Sequence, residues 1–168
     1  MNSPFRLCYL DPNSTQTLRE GLAEYYVANP DFTNPSTQPA DFAKILAAHD
    51  VGHVIYGCDT DMFDELKLLP IFWWMSDCTF SRYLEMRQNP AVDVMYKDLI
   101  KRHGVLWLYS SILVVLPRLL PTLIALWLKT RNRQILVPFL EFESLLDRSL
   151  LEIRQQYNLL PFMNQRGV

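Results

Sequence analysis

The residues with the clearest potential for chemistry lie in the stretch 39–57, which contains the string HDVGH at positions 49–53. Apolar residues in this stretch recur at spacings of three and four, as on the buried face of a helix (Phe42, Ile45 and Leu46). Continuing that spacing reaches His49 and His53, so both imidazoles are predicted to point inward. At 100° per residue the two histidines are about 40° apart, and Asp50 lies about 60° beyond His53. Two imidazoles and a carboxylate on one arc are typical of a divalent-metal site.

A metal site needs further ligands, and the nearest acidic residues follow the predicted end of this helix at Gly57. Beyond Gly57 the chain can return antiparallel and bring a carboxylate back against His53. Asp61 has the position of a helix-capping residue, and Asp64 lies about 100° from Glu65 around the next helix, so Glu65 is the preferred ligand. The predicted metal ligands are His49, Asp50, His53 and Glu65, and zinc is the expected ion. The alternative is that the inward histidines are hydrogen-bonded residues of the core.

The elements that must position these residues are almost all helical. We predict an all-α fold, a single-domain helical bundle over 1–168 with an apolar lipid-binding tunnel or groove. The predicted elements are a helix ending near Ala28, an irregular connector at about 29–39, a helix from Pro39 to Gly57, a third from Thr60 or Asp61 through a kink or restart at Pro70 to about Gln88, a fourth from Asn89-Pro90 to His103-Gly104, and a last one at about 139–157.

Composition narrows the classes of protein to consider. The 168 residues include 16 basic and 18 acidic side chains, for a net charge of −2, without a long run of either sign. Nucleic-acid binding, which needs a clustered basic face, is therefore not expected. The three cysteines form no Cys-x-x-Cys pair, which favours a reducing compartment. The first residues resemble neither a signal peptide nor a transit helix, so we expect a cytoplasmic protein.

Residues 105–128 form a strongly apolar segment that is interrupted at its centre by Pro117, Arg118 and Pro121. About 20 apolar residues suffice to cross a bilayer. A central charge costs about 2.5 kcal/mol or more there, however, and each proline frees a backbone carbonyl. We therefore predict two short buried helices joined by a bend. The alternatives are a lipid-facing or lipid-enclosing surface, with Trp107 and Trp127 as interfacial anchors, and a true membrane span.

The same segment supplies the candidates for lipid binding. They are Leu106, Leu113, Leu116, Arg118, Leu120 and Leu123. Basic residues flank the segment on both sides (Lys101, Arg102, Lys129, Arg131 and Arg133). Arg118 has two interpretations, neutralisation of an anionic head group and a salt bridge to an acid of the core.

The string HDVGH, followed by eleven residues and Glu65, resembles the HDxxH-x11-E signature of the coenzyme Q (ubiquinone) biosynthesis protein 4 family. Gly57 lies where that family turns after the second histidine. Residues near the C-terminus are similar to the closing helix of the family (Leu151, Glu152, Ile153 and Arg154, then Tyr157, Leu160 and Pro161). The resemblance covers about residues 39–161.

The resemblance implies a helical, dimeric protein that binds a divalent metal through the four residues of the motif. It also implies peripheral association with the inner face of the membrane, an enclosed polyprenyl tail and other quinone-biosynthesis enzymes as partners. The implied ligand is a prenylated quinone precursor or another isoprenoid lipid, and the implied activity is oxidative removal of the C1 carboxyl group of the aromatic ring with C1 hydroxylation. Because no targeting extension precedes the motif, we expect a bacterial homologue.

Three other interpretations stand beside this one. The His49-Asp50 pair is similar to the metal-binding doublet of the HD phosphohydrolases, although residues 1–48 lack the further histidine that those enzymes use. The zincin motif H-E-x-x-H has glutamate where this chain has Asp50. The third is a non-catalytic scaffold, stabilised by a metal, that presents a prenylated intermediate to a quinone-biosynthesis complex.

Overall fold

The computed structural model describes residues 7–132 and 134–163, and these residues form the predicted all-α fold. Within the described ranges the α-helices are α1 (Leu18–Ala28), α2 (Ala40–Tyr56), α3 (Met62–Met75), α4 (Phe80–Arg87), α5 (Pro90–His103), α6 (Val105–Thr130), α7 (Leu150–Gln156) and α8 (Leu160–Met163). Short 3-10 turns occur at Cys8–Leu10, Pro35–Thr37 and Phe142–Leu145. The predicted domain also includes positions that lie outside the described residues, namely 1–6, 133 and 164–168. Two of the basic residues that flank the apolar segment are affected: Arg133 and the side chain of Arg102 are not described.

Capping residues in the sequence set the helix boundaries in the first third of the chain, and Asp61 caps α3 as predicted. Thr17 and Glu20 form a capping box at the start of α1, and the Asp61 side chain accepts two backbone N–H groups at the start of α3. Gly57 ends α2 with a φ of 61°, the left-handed conformation that glycine adopts without strain. The predicted connector at 29–39 is irregular except for its 3-10 turn.

The prediction of a third helix from residue 60 to Gln88 with a kink or restart at Pro70 is wrong, because α3 continues through Pro70 and ends at Met75. A distant segment of the chain pairs with this end: the Val137 N–H donates to the Met75 carbonyl at 2.9 Å, and the Asp77 N–H donates to the Val137 carbonyl at 3.0 Å. The Thr79 side chain then caps a separate helix, α4. Pairing between segments far apart in sequence thus ends a helix that the local pattern would continue.

The predicted last helix at 139–157 is also broken, into the 3-10 turn at 142–145 and the short helix α7. Residues 146–151 lie against residues 14–19 through backbone hydrogen bonds such as Leu150 N–H to Gln16 O at 2.7 Å. Ser149 then starts α7 with its own capping box. The predicted last helix is therefore two separate pieces and not one continuous helix.

The prediction of two short buried helices in the apolar segment is wrong on both counts. Helix α6 is continuous through Pro117 and Pro121, as α3 is through Pro70, and most of its apolar side chains are exposed. Both prolines of α6 are on its exposed side, where carbonyls that lose their N–H partner can bond to water. The helix is long and apolar enough to cross a membrane, by length and composition alone.

The candidate lipid-binding residues therefore do not line an enclosed tunnel within the described chain. Leu106, Leu113 and Leu120 are exposed, while Leu116 and Leu123 are half-buried. They sit on the open surface of α6. Arg118 is exposed as well, and within the part of the chain that the structure describes it is not placed against a core acid.

The central helix of the fold is α2, which contacts α1, α3 and α7. Every residue from Ala48 to Tyr56 except His49 is buried. Gly52, in the middle of the HDVGH string, is required by packing, because ring carbons of Phe72 lie 2.4 Å from the position that a Cβ would occupy. The motif thus lies where three helices converge.

A fully buried arginine fixes the C-terminal end of α2. The Arg154 guanidinium of α7 donates to the carbonyls of Val54 at 2.8 Å and Ile55 at 3.0 Å, and to those of Tyr9 and Asp11 at 2.6 Å. Burial lowers the pKa of Arg154 to about 10, so the side chain is still charged at neutral pH. The charge complements the negative end of the α2 dipole and supplies donors to carbonyls that the helix leaves unpaired.

Replacing Arg154 with Met is expected to lower the free energy of unfolding by at least about 3 kcal/mol, because several buried carbonyls lose a charged donor. Urea denaturation in EDTA measures the change. The matched control is Arg19→Met, which removes an exposed ion pair with Asp147 and should cost less than about 1 kcal/mol. Equal losses in the two variants would contradict the assigned role; if Arg154→Met does not fold, Arg154→Lys replaces it in the same comparison.

Candidate metal centre

The two histidines of the motif are brought together by one turn of α2, as predicted. Their ring centroids are 4.7 Å apart. The His53 side chain is completely buried, whereas that of His49 is 38% exposed. One imidazole therefore belongs to the core and the other lies at the opening of the site.

Helix α3 supplies the third member of the cluster. Glu65 lies in the first turn after the Asp61 cap, and its two carboxylate oxygens lie 3.2 Å from His53 Nε2 and 3.5 Å from His49 Nε2. Ligand atoms of the three residues all lie within 4.8 Å of one another. The prediction that Glu65 folds back against His53 is confirmed.

The far nitrogen of each imidazole faces an oxygen that accepts a hydrogen bond. His53 Nδ1 is 3.4 Å from the Cys58 carbonyl, and His49 Nδ1 is 3.5 Å from Asp50 Oδ1. When each neutral imidazole carries its proton on Nδ1, its Nε2 lone pair faces the cluster, which is the tautomer that binding a metal through Nε2 requires.

Asp50 lies behind His49, beside the cluster and not among the three residues whose ligand atoms converge. Its buried carboxylate accepts a hydrogen bond from the Tyr26 hydroxyl at 3.0 Å and one from the Tyr25 hydroxyl at 3.5 Å. Burial and the charge of Asp50 raise the pKa of both tyrosines, so both stay protonated and remain donors. The structure thus gives Asp50 the geometry of a residue that orients a ligand.

The sequence alone assigned Tyr25 and Tyr26 no role at the site. Helical spacing shows which side of α1 is buried, whereas the partner of each hydroxyl depends on how α1 packs against α2. A buried acid in the motif was the available signal, since such a group needs donors from another element.

The electrostatics of the cluster link its members. Burial alone would lower the pKa of His49, but its contacts with Asp50 and Glu65 outweigh burial and raise that pKa to about 9. Burial alone would raise the pKa of Glu65, but His49 and His53 lower it to about 2. Without a metal, the cluster therefore holds a proton on His49 next to an ionised Glu65, and a bound cation would replace that proton.

A divalent metal fits these residues. His53 Nε2 is buried and lies 3.2 Å from a Glu65 oxygen without hydrogen-bond geometry, so in the Nδ1-protonated tautomer it can offer its lone pair to an ion in the cluster. Two imidazoles and one carboxylate form the ligand set of many catalytic zinc sites and of non-haem iron sites, which keep positions open for substrate. His49, His53 and Glu65 would hold the ion.

The opening of the site is on the side of His49 and Glu65, whose side chains are 38% and 33% exposed. Asp50 and His53 close the opposite side. The two hydrolase interpretations need Asp50 at the metal or at its water, whereas here Tyr25 and Tyr26 bind its carboxylate. The geometry thus favours three ligands and an open face over either hydrolase arrangement.

Substituting a converging ligand should abolish stoichiometric metal binding. Glu65→Gln and His53→Gln are each expected to weaken zinc binding by more than the about 10–100-fold that changes in outer-shell residues cause. Zinc is measured by elemental analysis after equilibration with excess metal and desalting, with circular dichroism as a check on folding. The control is Glu143→Gln, an exposed residue away from the site. One equivalent of zinc retained by both ligand variants would disprove the centre.

Comparisons of this chain with family models, curated proteins and solved structures give no match. The family resemblance consequently depends on the HDxxH-x11-E motif, of which the structure brings both histidines and the glutamate into one cluster.

Proposed function

We propose that this protein binds a divalent metal and a prenyl lipid in the biosynthesis of ubiquinone or a related prenyl quinone. The observation that carries the proposal is the convergence of His49, His53 and Glu65 within 4.8 Å, in the spacing of the family motif. The exposed apolar helix α6 adds a surface suited to lipid. We further propose that the site removes the C1 carboxyl group of the prenylated aromatic ring and hydroxylates C1.

The chemistry of the site suits an anionic aromatic head group. A metal held by two imidazoles and a carboxylate supplies Lewis-acid stabilisation of phenolate or carboxylate charge. His49 and Glu65 border the open side, where a ring can approach, and buried His53 excludes water from the opposite side. In the net reaction the bond from C1 to the carboxyl carbon breaks, carbon dioxide leaves and a C1–OH bond forms, with dioxygen as the oxidant; two rings per dioxygen balance the atoms and electrons.

Helix α6 offers the lipid-facing surface in this proposal. Leu106, Leu113 and Leu120 follow one another at intervals of seven residues on one side of the helix, and Trp127 continues the row. Leu106 is 86% exposed and Leu113 67% exposed. A core helix of a soluble protein can match α6 in length and composition. The apolar side chains of such a core helix are buried, however, whereas most of those on α6 are exposed. The exposed row of α6 therefore fits a lipid or membrane surface better than it fits water.

The charges of α6 favour a helix that lies on the membrane over one that crosses it. Arg118 is about 160° around the helix from Leu120, so it faces away from a membrane that contacts the leucine row. The Arg131 guanidinium lies over the ring of Trp127, with its Cζ 5.6 Å from the ring centroid. This arrangement is suited to the membrane interface. We propose peripheral association at the cytoplasmic face, with a homodimer and other quinone-biosynthesis enzymes as partners.

The test of the proposed function combines binding and turnover. Native mass spectrometry of gently purified protein is expected to show one divalent metal and a prenyl lipid per chain. A prenylated hydroxybenzoate with metal and dioxygen is then expected to lose its C1 carboxyl group as carbon dioxide and gain a C1 hydroxyl. Glu65→Gln should abolish turnover while the apolar surface of α6 is unchanged.

The outcomes separate the two forms of the proposal. Metal and lipid without turnover would favour the scaffold interpretation, in which the protein presents the intermediate to other enzymes. Metal without lipid would contradict the quinone assignment and leave a metal-dependent activity on another substrate. A protein that carries neither bound metal nor bound lipid would disprove both forms of the proposal.

The exposed leucine row makes a separate prediction. Leu106→Glu/Leu113→Glu should weaken binding to vesicles of phosphatidylcholine and phosphatidylglycerol by more than about tenfold, because each leucine contributes about 1.5–3 kcal/mol when it leaves water. Cosedimentation measures the bound fraction. The control Gln155→Glu/Gln156→Glu adds the same charge to exposed positions of α7. Equal binding of the two double variants would rule out α6 as the contact surface.

A further inference from the structure

Helix α1 forms a wall of the candidate metal centre through two consecutive tyrosines. The Tyr26 hydroxyl donates to Asp50 Oδ2 at 3.0 Å, and the Tyr25 hydroxyl donates to Asp50 Oδ1 at 3.5 Å. Each oxygen of the carboxylate therefore has its own donor. Because consecutive residues lie about 100° apart on a helix, the two hydroxyls approach Asp50 from different sides and restrict its rotation.

The orientation of Asp50 matters for both histidines. Oδ1 also lies 3.5 Å from His49 Nδ1, so the carboxylate connects the tyrosines to the histidine at the opening. The ring of Tyr25 stacks on the ring of His53, with centroids 5.4 Å apart and an angle of 27° between the planes. One imidazole is thus constrained through Asp50 and the other by direct contact.

Several contacts hold Tyr25 in place. Tyr9 and Phe32 pack edge-on against the Tyr25 ring at 6.1 and 6.2 Å. At the end of α1, the Asn29 amide donates to the Tyr25 carbonyl at 2.9 Å, and the Thr60 hydroxyl donates to the Asn29 side-chain oxygen at 3.2 Å. These contacts connect α1 to the turn that precedes α3, and so to the helix that carries the third ligand.

We propose that Tyr25 and Tyr26 are positioning residues of the metal centre: their hydroxyls hold Asp50 so that it orients His49, and the Tyr25 ring orients His53. The inference rests on the metal centre of the proposed function but assigns residues outside the motif. Removal of an outer-shell partner typically weakens metal binding by 10–100-fold. Tyr26 contacts His49 only through Asp50, one hydrogen bond further from the ion than an outer-shell partner. Loss of its hydroxyl should therefore weaken zinc binding by about tenfold, the lower end of that range.

The experiment measures zinc affinity by competition with a chromophoric chelator and records the visible spectrum of the cobalt(II)-substituted protein. Tyr26→Phe keeps the ring and removes the hydroxyl, and it is expected to raise the zinc Kd by about tenfold and to change the cobalt bands. The control is Tyr109→Phe, which removes an exposed hydroxyl on α6. Thermal unfolding in EDTA shows whether Tyr26→Phe has changed the fold itself.

A double-mutant cycle with Asp50→Asn separates positioning from general stability. If Tyr26 acts through Asp50, adding Tyr26→Phe to Asp50→Asn should raise the zinc Kd by less than about twofold more. Independent, additive effects would overturn the relay, as would a wild-type affinity and cobalt spectrum in Tyr26→Phe. Failure of the wild-type protein to bind zinc or cobalt would overturn the metal centre as well, so the two failures are distinguishable.

Discussion

The fold depends on the way in which α2 ends inside the protein. The last turn of a helix leaves carbonyls without intrahelical donors, and here that turn is buried. Arg154 meets the need with a planar, charged fork of donors that reaches α2 and the loop at 9–11 together. His53 lies in this same turn. The hydrogen bonds from Arg154 to the end of α2 therefore also hold this candidate metal ligand in its buried position.

Four of the five positions of the HDVGH string have a physical reason that the structure shows. The histidines converge on Glu65, Asp50 lies between His49 and the tyrosines of α1, and Gly52 leaves room for the ring of Phe72. Two neighbouring helices, α1 and α3, thus act on four of these five consecutive residues. Helix α3 adds a longer connection, since its first turn carries Glu65 and it packs against α6. The candidate chemical site and the exposed apolar surface therefore share one rigid element.

The sequence predicted the parts of the structure that local rules determine. Capping residues marked the starts of α1 and α3, and one-turn spacing placed the histidines side by side. Contacts between distant segments were not predictable in this way: Val137 ends α3, and residues 14–19 divide the last helix. The apolar pattern of α6 led to the wrong prediction of burial in the core. Such a pattern shows that a helix favours an apolar environment, but not whether protein or lipid provides it. The role of Asp50 likewise depended on α1, whose register against α2 is a tertiary property.

The short turn between the ligand-bearing helices has a consequence for how the centre relates to folding. A bound ion would link His53 to Glu65 across only the eleven residues 54–64, which already form a helix end, a left-handed glycine and a capped start. Closing so short a loop removes less chain entropy from the unfolded state than closing a long one would. Packing would therefore form the site without the ion, and the bound ion would exchange with solvent while the helical bundle stays folded.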